Sequence, residues 1–144
     1  MSWDRVHRRH QLVHAVLASG LTTVPPGLAV EVDAEFGGFG GFLQEVQRRW
    51  YRAFDARLDA VLEEWPRDLH DALVRQWQDL ALTMPAARRM LDANADHPAL
   101  VGADEQHRRR LHAATGLVLS PASLTEPPGG RGKQCLWSLL LRTT

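Results

Sequence analysis

Cysteine and lysine are almost missing from this sequence, and it has no long apolar run. Cys135 is the only cysteine, so no disulfide can close within the chain, and a reducing compartment is expected. No apolar stretch approaches the roughly 20 residues of a membrane-spanning helix. The opening MSWDRVHRRH has no apolar core of signal-peptide length. Together these predict a soluble cytoplasmic protein without a membrane partner. Lys133 is the only lysine, and the formal net charge is zero. A generally basic nucleic-acid binder is therefore not favoured, although arginine can still form a local patch.

Recognisable catalytic motifs are missing too. No GxGxxG or GxxxxGK[ST] phosphate loop and no G-x-S-x-G elbow occurs. No zinc-type Cys/His spacing occurs either. Cys135 lies in an apolar stretch, where a thiol is held in its unreactive protonated form. No catalytic set is assigned.

What the chain does have is helical periodicity. In Phe42 to Trp65, FLQEVQRRWYRAFDARLDAVLEEW, residues Leu43, Val46, Trp50, Phe54, Leu58, Val61 and Trp65 recur at three- and four-residue steps. That spacing places them on one face of a long helix. Around this helix the rest of the chain reads as further helices. Trp3, Val6, Val13 and Leu17 share an arc of a first helix capped by Ser2 and stopped near Gly20, with His10 inside the arc. Leu21 to Phe36 mixes two signals. VEVDAEF alternates like a strand, but Leu28, Val32 and Phe36 are spaced like a helix. A short helix is the reading taken, since a lone strand would have no partner. Gly37–Gly41, GGFGG, reads as a glycine turn between helices. Pro66 opens a helix to about Thr83, a short one follows to about Asn94, and Asp96 with Pro98 starts another that stops at Gly116.

The fold predicted is all-α: a compact bundle of four to six helices around the 42–65 helix, with short loops favouring antiparallel neighbours. Residues 1–124 form one domain. Residues 125–144 are a Pro/Gly linker, EPPGGRG, and a short apolar tail.

Phe36, the glycine turn, Leu43, Val46 and the long helix resemble the end of a TetR-type headpiece leading into its connecting helix. The resemblance implies a recognition helix within Leu21 to Glu35. That segment carries two prolines and three acids, which suit neither such a helix nor DNA. The family is not assigned on this basis.

Three constellations have chemical potential. His10 and His14 lie one turn apart, and Asp104–x–x–His107 places a carboxylate and an imidazole on one helix face. His10, His14, Asp104 and His107 are the candidate metal ligands of a bundle. Their bland alternative is structural histidines, and no cofactor is identified. Arg8, Arg48, Arg52 and Arg108 mark three arginine clusters. They are candidates for an anion or nucleic-acid surface, against the alternative of a solvated face with helix-surface ion pairs. In the tail, Leu136, Trp137 and Leu140 are candidates for a protein interface; folding back onto the core is the other reading.

With no catalytic set, the preferred expectation is a non-catalytic protein-interaction or regulatory module that self-associates or docks a protein partner. Its rivals are a metal-, haem- or small-ligand-binding bundle, including a small bundle enzyme, and a nucleic-acid-binding regulator. A buried pocket holding His or Asp with perturbed protonation would speak for the ligand-binding rival.

Overall fold

The computed structural model describes residues 2–119 and Leu124. Among them are six α-helices, one 3-10 turn and no strand. The all-α bundle is what forms.

Helix α1 (Trp3–Ala18) begins at Ser2, whose hydroxyl accepts from the Arg5 N–H, with Asp4 in the first turn. It buries Leu12, Val13 and Val16. The expected arc is wrong in its first half. Trp3 is 78% exposed, Val6 is 47% exposed, and His10 is exposed rather than buried. The periodicity marks an apolar arc, but only the second half of α1 has core residues to lie against. Its first half is held by charge instead. Arg5, Arg8 and Arg9 surround the Glu35 carboxylate at 3.5–3.6 Å. Arg9 also donates to the Glu35 carbonyl and lies over the Phe36 ring.

A 3-10 turn at Pro26–Leu28 leads into α2 (Ala29–Phe36). The acidic stretch that alternates like a strand is therefore helical, with Val32 buried and Val30 exposed. Gly37 ends it with φ 74°, a left-handed conformation that suits glycine.

The central helix α3 (Phe39–Glu64) starts three residues before the expected Phe42, so GGFGG is only half a turn. Gly37 and Gly38 have positive φ, whereas Gly40 and Gly41 are already helical. Gly41 serves close approach. A Cβ there would lie 1.9 Å from the Phe36 carbonyl oxygen. The buried face of α3 is Phe42, Leu43, Val46, Gln47, Trp50, Phe54 and Leu58. Trp65 does not join it; it is 63% exposed.

Helix α4 (Leu69–Thr83) is capped by Asp68, not opened by Pro66. It buries Leu73, Val74, Gln76 and Leu80, and Gln76 donates to the Phe54 carbonyl. Helix α5 (Pro85–Ala93) adds Ala87, Met90 and Leu91. Helix α6 (Pro98–Thr115) is capped by the His97 ring, which accepts from the Ala99 N–H at 3.1 Å, rather than by Asp96. Gly116 stops it with φ 72°.

Not all neighbours are antiparallel. Gln44 bonds to Ala99, Gln47 to Leu100, Tyr51 to Asp104 and Asp55 to His107. Both numbers rise together, so α3 and α6 run parallel. Two intervening helices, α4 and α5, carry the chain back to the start of α3. Among the described residues no helix is long and apolar enough to cross a membrane.

Trp65 caps α3 at φ 41°, the only positive-φ residue other than glycine among the described residues. A bulky side chain is strained there, and this one is mostly in solvent. Trp65→Gly is expected to raise stability by about 1 kcal/mol, measured by urea denaturation. A loss of stability would show that the exposed indole contributes more packing than its backbone strain costs.

Candidate ligand-binding site

Helices α3, α4, α5 and α6 leave a cavity of about 270 Å³ between them. Its walls are largely apolar: Phe54 of α3, Trp77 of α4 and Leu111 of α6, with Leu119 and Leu124 beyond α6. Six polar side chains line the same space: Tyr51, Arg88, Asp92, Asp104, His107 and Arg108.

Tyr51, Arg88, Asp104 and His107 are each held by the packing around them. The Tyr51 ring stacks on the His107 ring, with centroids 3.9 Å apart and planes 18° apart. The Tyr51 hydroxyl donates to Oδ1 of Asp104. Gln47, buried on α3, donates through Nε2 to the same oxygen at 2.8 Å and to the Leu100 carbonyl at 2.9 Å. Oδ2 of Asp104 takes no hydrogen bond from a described residue. Nε2 of His107 lies 3.1 Å from Oδ1 of Asp55. The Arg88 guanidinium sits over the rings of Trp50 and Trp77, at 4.5 and 4.8 Å, and is clamped by the Asp92 carboxylate at 2.7 Å.

Protonation follows from burial. His107 is pushed below the usual histidine value by desolvation; the hydrogen bond and charge of Asp55 oppose this only in part. The ring is neutral at neutral pH. The contact with Asp55 then assigns the proton to Nε2 and leaves Nδ1 as an acceptor. Tyr51 is pushed well above the usual phenol value, first by burial and then by its bond to Asp104, so it stays protonated. The site thus holds an uncharged donor-acceptor pair between two carboxylates.

A pH dependence follows. Unfolding returns His107 to about 6.5, above its folded value, so the unfolded chain binds the extra proton. The His107 contribution is complete above about pH 6.5 and is lost as the pH falls toward the folded value. The slope is at most about 1.4 kcal/mol per pH unit. Asp55, Asp104 and Arg110 are the charges that act on the ring. Chemical denaturation between pH 7 and 5 should show this slope, and His107→Gln should flatten it. An unchanged slope in that variant would place the titration elsewhere.

The sequence candidates are redistributed by the fold. Asp104 and His107 both face α3 and both line the cavity, but Tyr51, Gln47 and Asp55 are their partners. His10 and His14 are exposed on α1, and His10 packs against Arg49 instead. The four are not one site, and among the described residues no three His, Cys, Asp or Glu side chains are placed to hold a metal ion. Of the arginines, Arg8 pairs with Glu35, Arg48 with Glu45 and Arg108 with Glu105, and Arg52 is exposed on α3. The tail with Cys135, Leu136, Trp137 and Leu140 lies outside the described residues.

Sequence reasoning did not assign Tyr51, Gln47, Trp77 or Arg88 to this site. Gln47 carried a usable signal, an amide on the apolar side of a long helix. Arg88 carried none, because its role depends on two tryptophans from other helices. Comparison with protein-family models, with curated proteins and with solved structures finds no match to this chain.

Proposed function

We propose that this protein is a cytoplasmic helical bundle that binds a small organic molecule in the cavity between α3, α4, α5 and α6. The supporting observation is the convergence of Tyr51, Arg88, Asp104 and His107 on an aromatic-walled space of about 270 Å³. Concave apolar sites with a few oriented polar groups are the usual form of small-ligand sites. A neutral imidazole and a protonated phenol beside a carboxylate with a spare oxygen favour hydrogen-bonded recognition over ion pairing. The size suits a metabolite, not a peptide.

A second reading is self-association or docking of a protein partner. Trp3 and Val6 favour it, since both are exposed on the first half of one helix.

Native mass spectrometry of untagged protein from its own host separates the two. The ligand reading predicts extra mass that disappears on denaturation and is reduced by Ala95→Phe, which places a bulky group at the cavity rim. A bare chain, with a melting temperature that no member of a metabolite panel raises, overturns it. A bare dimer that becomes monomeric in Trp3→Ser/Val6→Ser supports the second reading. A bare monomer in both forms removes self-association.

A further inference from the structure

A smaller chamber of about 50 Å³ adjoins the cavity, bordered by Gln47, Trp50, Tyr51, Arg88, Leu100 and Asp104 among others. It shares Tyr51, Arg88, Ala95 and Asp104 with the larger space, so the two form one site with a wide apolar part and a narrow polar end. Trp50 has no exposed surface, and its Nε1–H has no hydrogen-bond partner among the described residues. Buried donors of this kind are rarely left unpaired, because their lost hydration is not replaced. Asp104, which also borders the chamber, receives two hydrogen bonds at Oδ1 and none from a described residue at Oδ2. Two residues that border the same small space thus carry an unpaired donor, on Trp50, and an unused acceptor, on Asp104.

The charges around it limit what fits. Arg88 is already paired with Asp92, and Arg108 at the cavity wall shares the single Glu105 carboxylate with Arg109. A carboxylate entering the chamber would meet Asp104. An ammonium group would meet the Arg88 guanidinium. The carboxylate has no proton to give to Oδ2 of Asp104, and the ammonium, although it can pair with Asp104, has no acceptor for the Trp50 N–H and leaves that buried donor unpaired. A neutral group with both a donor and an acceptor meets neither obstacle.

We propose that the ligand carries an uncharged head of this kind, a primary carboxamide or a hydroxyl, seated between Trp50 and Asp104. The head accepts from Nε1–H of Trp50 and donates to Oδ2 of Asp104. An apolar body fills the larger cavity against Phe54, Trp77 and Leu111. This inference rests on the ligand-binding reading above. A chamber of this size also accommodates ordered water, so the test must distinguish a head-group site from a hydrated recess.

Four compounds with the same body serve as probes: 3-phenylpropanamide, 3-phenylpropanoate, 3-phenylpropylammonium and propylbenzene. Each is titrated into the full-length ¹⁵N-labelled protein, and the tryptophan indole N–H signals are followed. The Trp50 signal is assigned from its loss in Trp50→Phe. The expected result is that the amide moves the Trp50 signal and binds about tenfold more tightly than propylbenzene, with that advantage lost in Trp50→Phe. If that variant does not fold, the signal is assigned by elimination from variants at the other tryptophans, and the wild-type titration decides.

An amide that binds no better than propylbenzene and leaves Trp50 unmoved overturns the proposal; the chamber then holds structural water only, and the ligand reading stands. Tighter binding of the carboxylate or the ammonium overturns the neutral head alone. No movement of any cavity signal by all four at millimolar concentration counts against the ligand-binding reading itself, and the head-group inference falls with it.

Discussion

Gly41→Ala is expected to destabilise the protein by about 3 kcal/mol or more, at the upper end of what overpacking costs. The added Cβ would lie 1.9 Å from the Phe36 carbonyl oxygen and 3.0 Å from its carbon. Both are backbone atoms, so no side chain can rotate away. Relief requires α2 to move off α3, which pulls Val32 and Phe36 from the core. Alanine also favours a helix by about 1 kcal/mol relative to glycine, but that gain is smaller than the clash. Gly40→Ala is the matched control. Its Cβ would lie 3.2 Å from a carbon of the His97 ring and 3.3 Å from the Ala99 methyl, contacts that small shifts can relieve. Propensity then offsets crowding, and the change should stay within about 1 kcal/mol of wild type. Urea denaturation of the two variants decides the point. Equal stability would mean that α2 and α3 are not in close backbone contact.

Trp50→Ala should cost about 3–5 kcal/mol, the usual loss for a buried aromatic side chain. Trp50 has no exposed surface, packs edge-on against Trp77 at 5.0 Å, and carries the Arg88 guanidinium on its ring. Truncation removes the apolar contact and opens a void beside the cavity. It also leaves Arg88 with one aromatic face. Trp65 is the contrast. It belongs to the same apolar stripe in sequence, yet it is mostly in solvent, and Trp65→Ala should change stability by no more than about 0.5 kcal/mol. Thermal and chemical denaturation of the pair measure both effects. Similar losses would contradict the different burial of the two tryptophans.

The site was partly legible before the fold was known. Asp104 and His107 stood out because their spacing places them on one helix face, and they do share a face. Their spacing left the chemistry open, because a carboxylate and an imidazole one turn apart serve a metal or a hydrogen-bond network equally well. The hydrogen-bond partners they meet, Tyr51, Gln47 and Asp55, lie more than fifty positions away. His10 was misplaced for a related reason. A helical wheel reports which residues share a side, and nothing about whether another element covers that side.

The sequence by itself determined the all-α class, the long central helix, the short α2 and the stop at Gly116. These depend on local forces: a 3.6-residue apolar period, capping side chains, and glycine at positive φ. Each acts within a few residues and can be read along the chain. Only the tertiary structure decided the parallel pairing of α3 with α6, the exposure of Trp3, His10 and Trp65, the role of Gly41 and the cavity. Those depend on which helix surfaces meet, and burial, hydrogen-bond partners and protonation of Tyr51 and His107 are consequences of that meeting.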